Sequence, residues 1–263
     1  MYRIIIFLFS FLFCLPAQSQ SYQIKLSTEQ TYALGQLIWK NEGQQKQQHL
    51  TTWNRGEDFP SLGLGHFIWY PHQQKGPFKE QFPALLVFFQ ENGLQLPAWL
   101  NDIDLAPWKS REQFYSEFDG EQLSSLREFL SEHITLQTQF IMQRLETAIP
   151  EIIADCDAQQ REVVTTHLSV LTATVKGMFA LLDYINFKGE GLSMKERYQG
   201  QGWGLKQVLL AMPKAYDNPL RAFGLAADEI LTRRVKNASR DEFRWLKGWR
   251  ARVHAYQYMT INK

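Results

Sequence analysis

Two short segments place acid–base residue types at a useful spacing: Asn41-Glu42-Gly43, then Glu57-Asp58 followed by Ser61-Leu62-Gly63-Leu64-Gly65-His66. A carboxylate at the C-terminal end of an amphipathic helix faces the negative end of the helix dipole, which disfavours its ionised form and raises its pKa. Glu42 occupies such a place, where a carboxyl group kept protonated can donate a proton; the plainer reading is a solvated helix-end Glu. Glycosidic bond cleavage needs one carboxylic acid to protonate the leaving oxygen and a second carboxylate to activate water or stabilise the oxocarbenium ion. A helix end carrying Glu42, facing a hairpin carrying Glu57 or Asp58, supplies both.

A further carboxylate, Glu190 in Lys188-Gly189-Glu190-Gly191, reads either as a cleft group facing Glu42 or as a loop charge. His66 either orders the hairpin through hydrogen bonds or touches substrate. Trp53, Trp69 and Tyr70 can stack on sugar rings or serve the core, because an aromatic face covers the apolar face of a pyranose as readily as it covers a neighbour. Trp245 and Trp249, at i,i+4 on the last helix, read as core. Arg233-Arg234, with Lys236, reads as a solvated face ahead of an anion contact.

Other chemistries lack their residues. The six histidines show no His-Glu-x-x-His and no Cys/His spacing, so no metal is expected. No phosphate loop and no Gly-x-Ser-x-Gly elbow exist. Cys156 lies between Asp155 and Asp157, a negative setting that raises a thiol pKa and makes a poor nucleophile. No organic cofactor is called for.

The elements that must hold these residues are mostly helices. Ser27-Thr28-Glu29-Gln30 has capping-box spacing, Leu34, Leu37 and Ile38 recur at helical spacing, and Gly43 sits at a stop, so a first helix spans about 28–42. Residues 50–71 break that period with Gly, Pro60 and Pro71, and Leu62 to Tyr70 has strand composition, which predicts a hairpin or three-strand patch. After a Pro-punctuated stretch with one short helix near 84–91, helices are expected at about 111–118, 121–132, 136–147, 158–171, 175–188, 203–212, 219–236 and 240–258. The capping candidates are Ser110, Asp119, Thr135, Asp157, Thr174 and Ser239. Gly200-Gln201-Gly202 marks a loop. The fold class expected is α+β, mostly α.

Composition agrees with a globular chain. The 263 residues are 44% hydrophobic and 14% aromatic, which excludes disorder, and a net charge of +1 argues against a nucleic-acid partner. Met1-Tyr2-Arg3, the apolar run Ile4 to Leu15 and Ala17-Gln18-Ser19 read as an export signal over 1–19. That run, about twelve residues, is shorter than the roughly twenty a bilayer span needs, so no membrane attachment is expected after cleavage. Cys156 is then the only cysteine, leaving no intramolecular disulfide in a periplasmic or secreted protein.

Glu-Gly at the end of the first long helix, followed by Ser-Leu-Gly-Leu-Gly-His, resembles the phage-type lysozymes, whose pattern is Glu-Gly, a β-hairpin, then Thr-Ile-Gly-x-Gly-His. Asp183-Tyr184-Ile185-Asn186-Phe187-Lys188-Gly189 is similar to that family's Phe-Asn-x-Gly helix end, and Thr232-Arg233-Arg234 to its late Arg-Arg helix. The resemblance implies a lysozyme-like fold, in one domain over 20–263 with a large helical insertion around 72–175, and a glycan cleft between a helical lobe and a small β-lobe. It makes Glu42 the proton donor and puts Ser61 where a hydroxyl holds the attacking water. Arg55 stands where the family has Asp, so Glu57 or Asp58 would stand in. For His66 the resemblance suggests the hairpin-ordering role; the candidate substrate contacts are His66, Trp69, Tyr70 and Asn186. Glu190 with Gly202-Trp203-Gly204-Leu205-Lys206-Gln207 and Met212-Pro213 more faintly resembles the lytic transglycosylases. The expected activity is hydrolysis of peptidoglycan strands. The alternatives are a silent glycan-binding protein with the same cleft, a lytic transglycosylase, or a chitosanase-like enzyme.

Overall fold

The computed structural model describes residues 22–71, 76, 78–194 and 196–259; the expected export signal lies outside them. Ten helices among the described residues carry the architecture. They are α1 (Thr28–Gly43), α2 (Phe82–Glu91), α3 (Arg111–Ser116), α4 (Glu121–Glu132), α5 (Ile134–Ala154), α6 (Ala158–Thr172), α7 (Val175–Lys188), α8 (Leu205–Ala211), α9 (Pro219–Asn237) and α10 (Phe243–Ala255). Two small antiparallel sheets complete it: β1 (Thr51–Thr52), β2 (Ser61–Leu62) and β3 (Phe67–Ile68) in that order, and the ribbon of β4 (Arg197–Tyr198) with β5 (Gln201–Gly202). The protein is therefore α+β and mostly α. None of its described helices is long and apolar enough to cross a membrane.

Local chemistry explains four of the helix starts. The Ser27 hydroxyl accepts from the Gln30 N–H while the Gln30 side chain reaches back to Ser27, closing the capping box, and Asp157 with Gln160 does the same for α6. Ser110 caps α3 and Thr174 caps α7 through their hydroxyls. At three places the helix starts elsewhere than at the expected cap. Gly120 rather than Asp119 precedes α4, and α5 begins at Ile134, ahead of Thr135. α10 starts after Glu242 because that carboxylate, fully buried, is held by Tyr198, Arg234 and Arg240 instead of turning back to cap its own helix.

α5 also runs past its expected end and through Pro150. An interior proline costs a helix about 3 kcal/mol. Burial of Ile149 and Ile152 on either side, at about 1.5–3 kcal/mol each, offsets it. The expected loop at Gly200-Gln201-Gly202 instead forms the β4–β5 ribbon, with Tyr198 paired to Gln201.

α7 is central: every residue from Gly177 to Ile185 is buried, and it touches α1, α5, α6, α8 and α9. Within the segment 72–175, α5 is the main partner of α1. The three-strand sheet, with Thr51 opposite Leu62 and Leu62 opposite Phe67, carries the turn Gly63–His66. That turn docks on α5 through the Gln137 side chain, which accepts from the Leu64 N–H at 2.7 Å. Gly63 has φ +73°, and a Cβ there would lie 2.6 Å from Gln137 Oε1, so glycine answers both demands.

Candidate functional site

Glu42 continues the buried stripe of α1, four residues beyond Ile38 and eight beyond Leu34, so its helix aims it inward. Its side chain is only 12% exposed. Three elements close round it. Arg252 on α10 donates to Oε1 at 2.5 Å, Asn186 on α7 donates to the same oxygen at 3.4 Å, and His66 Nδ1 lies 3.5 Å from Oε2. Gly65 makes room for this: a Cβ there would meet Asn186 Oδ1 at 2.8 Å and the Phe67 ring at 2.6 Å.

Behind Glu42 lies a second carboxylate absent from the expected site, Asp183. It is fully buried, one helical turn before Asn186, and takes two bonds of 2.8 Å from Arg252, one of 2.7 Å from the Tyr256 hydroxyl and one of 3.2 Å from Asn41. Arg252 thus bridges two carboxylates. Burial raises its neighbour's pKa, yet Arg252 and His66 outweigh burial, and Glu42 titrates below the usual glutamate range. The expected elevation by the helix dipole is overturned: a helix terminus is worth about 0.3–1 kcal/mol, less than a buried charge-assisted pair at contact distance.

Glu57 behaves oppositely. It is half-buried in the loop between β1 and β2, where the Trp53 indole donates to its carbonyl at 2.7 Å and Asn54 donates to its carboxylate at 3.1 Å. Burial pushes its pKa up, against smaller pulls from Asn54, His66 and Arg240. Of the two carboxylates, then, Glu57 is the one held towards its protonated form. Both sense His66, whose backbone is left-handed at φ 50° and whose Nε2 is buried without a partner.

The remaining expected residues fall into three groups. Asp58 is exposed on the loop beside Glu57, and Ser61 is buried in β2, in the middle of the sheet. Trp69 and Tyr70, expected to meet substrate, are core residues instead. Trp69 is fully buried against Phe82 and Trp108, and the Tyr70 ring packs on Phe59 while its hydroxyl bonds the Phe78 backbone. Both lie just past the end of β3, where the chain turns into the core.

Glu190 belongs elsewhere. It pairs with Arg144 on α5 at 2.6 Å and lines a cavity of about 270 Å³ with Phe140, Ala84 and Glu151, a group that does not include Glu42. Arg144 holds its pKa below the usual range despite burial. Arg234 is likewise not a solvated charge: it pairs with the buried Glu242 at 2.8 Å and lies over the Trp203 ring. Among the described residues no three His, Cys, Asp or Glu side chains are placed to hold a metal.

Sequence reading found Glu42, Glu57, His66 and Asn186 but not Asp183, Arg252 or Tyr256 as members of the site. A signal existed for each. Asp183 is the one charge inside the apolar run Met178–Ile185, and Arg252 shares a helical face with Trp245, Trp249 and Tyr256. A charge on an apolar stripe needs a buried partner.

No family model matches the chain, and neither a curated protein nor a solved structure matches it.

Proposed function

We propose that the protein is an exported glycoside hydrolase with a lysozyme-like fold that cleaves peptidoglycan strands, using Glu57 and Glu42 as its carboxylate pair. One observation carries this reading: two carboxylates that both feel the charge of His66 are pushed to opposite protonation preferences, which is how a site assigns acid and base roles to chemically identical groups. Protonated Glu57 gives its proton to the leaving glycosidic oxygen. Ionised Glu42, kept so by Arg252, stabilises the oxocarbenium ion or takes a proton from the attacking water. This reverses the roles that the lysozyme resemblance implies. Asn186 and His66 hold Glu42 in place, and Ser61 anchors the strand that leads to the turn. No cofactor takes part.

Zymography on purified peptidoglycan tests the reading. Wild type clears the gel, and Glu42→Gln and Glu57→Gln each lose clearing by at least about a hundredfold, the scale of positioned acid–base catalysis. Retention on the glycan with no turnover by wild type overturns hydrolysis in favour of a silent binding protein. That second reading is favoured by the tight Arg252 clasp on Glu42. Clearing that survives Glu57→Gln overturns the pair.

A further inference from the structure

α10 contains no Asp or Glu, yet it carries Arg244, Lys247, Arg250, Arg252 and His254. Residues 219–259 hold nine Lys and Arg against four Asp and Glu, whereas residues 20–218 hold 17 against 23. Positive charge is thus gathered on the last two helices, which pack on each other. Spacing divides α10 into two sides. Leu246 and Val253 turn to the core, and Arg252 turns to Glu42 and Asp183. Phe243, Lys247, Arg250 and His254, at intervals of four, three and four, share a second side, on which the first three are exposed, as is the neighbouring Arg244. Phe243, which opens the helix, is 62% exposed, and Tyr258, three residues past its end, is 77% exposed. Arg240 and Arg250 are matched by Glu242 and Asp228. Arg244, Lys247 and, on α9, Lys236 have no carboxylate within ion-pair distance among the described residues. A groove of about 460 Å³ between α9 and α10, lined by Leu225, Arg233, Lys236 and Arg250, continues the basic surface. Of its two acids, Asp228 is taken up by Arg250 and His254, which leaves Glu229.

We propose that the exposed side of α10, with the α9–α10 groove, docks on an anionic phospholipid bilayer, lying among the headgroups without entering the hydrocarbon as a span. The inference is independent of the hydrolase reading, because the Glu42 cluster meets the other side of the helix. Charge and apolar exposure together select this partner. Cations without carboxylate partners are drawn to the negative surface potential of an anionic leaflet, each Lys or Arg strengthening the attachment roughly fivefold. A solvated Phe and Tyr at the two ends of a basic helix gain by settling at the headgroup boundary, where aromatic rings are favoured. A soluble polyanion would satisfy the cations and leave both rings in water.

The test is cosedimentation of the intact protein with vesicles of phosphatidylcholine alone or with about 30% phosphatidylglycerol added. Wild type is expected to partition at least about tenfold more strongly onto the anionic vesicles, and to come off them as salt rises from about 0.05 to 0.5 M. Arg244→Ala with Lys247→Ala is expected to weaken that partitioning by at least about tenfold. Phe243→Ala is expected to weaken binding to the anionic vesicles while leaving binding to soluble polyphosphate unchanged. Equal partitioning of wild type onto the two kinds of vesicle overturns the proposal, and this arm needs no variant to fold. Anionic-vesicle binding that ignores the double substitution also overturns it. Vesicle binding that ignores Phe243→Ala, beside equally tight binding to polyphosphate, overturns it in favour of a soluble polyanion.

Discussion

The two carboxyl groups that feel the charge of His66 are built from opposite materials. Glu42 emerges from a sixteen-residue helix and is gripped by side chains from α7 and α10, far away in sequence. Glu57 hangs on a short loop whose bonds come from Trp53 and Asn54, its immediate neighbours. The long-range clasp holds the first group ionised, and partial burial without a strong cationic partner pushes the second towards its protonated form. Identical chemistry thus diverges because one carboxyl obtains a contact cation and the other does not.

The sharpest way to break this contrast is to remove the bridge. Arg252→Met leaves Glu42 and Asp183 buried without their shared cation and is expected to cost about 3–5 kcal/mol in urea unfolding. Arg240→Ala, on the Glu57 side, removes a charge from a 61%-exposed side chain and is expected to cost under about 1 kcal/mol, although it also relieves Glu242 of one partner. Equal losses from the two variants would erase the distinction.

Smaller in free energy is the steric test of how the hairpin meets α7. Gly65→Ala drives a methyl into Asn186 and Phe67 and is expected to destabilise by about 1–3 kcal/mol and to loosen the Asn186 bond to Glu42, read by thermal unfolding and by the Glu42 titration followed by NMR. Trp53→Phe removes the indole bond to the Glu57 carbonyl, about 1 kcal/mol, together with part of a buried ring that packs on Phe114, and is expected to lower turnover without shifting the Glu42 titration.

The least effect, and the most diagnostic, is the pH dependence of stability. Glu42, with its folded pKa lowered, contributes stability that is present above the unfolded value near 4.3 and is lost as pH falls through the folded one. Glu57, with its folded pKa raised, contributes stability below the unfolded value and loses it as pH rises through the folded one. Glu57→Gln is therefore expected to gain on wild type, by less than about 1 kcal/mol, as pH rises through the folded Glu57 value, while the deficit of Glu42→Gln is full above about pH 4.3 and shrinks as pH falls through the folded Glu42 value. Parallel stability curves for the two variants would contradict the opposed protonation of the pair.

Helix positions were legible in the sequence because caps and apolar spacing act within a few residues: α1, α4, α6 and α7 lie within two residues of their expected bounds. Glu42 was legible as well, since its place at the end of a stripe is a local property. Trp69 and Tyr70 were not. An aromatic residue in a strand suits a core and a sugar groove equally, and only the positions of Phe82, Trp108 and Phe59 assign these two to the core. The protonation preference of Glu42 was read with the wrong sign because the helix dipole is visible in one helix, whereas Arg252 enters from α10 at the far end of the chain. Secondary structure follows from neighbours along the chain. Which charge meets which carboxylate depends on where α7 and α10 come to rest against α1, and that packing is a property of the whole core.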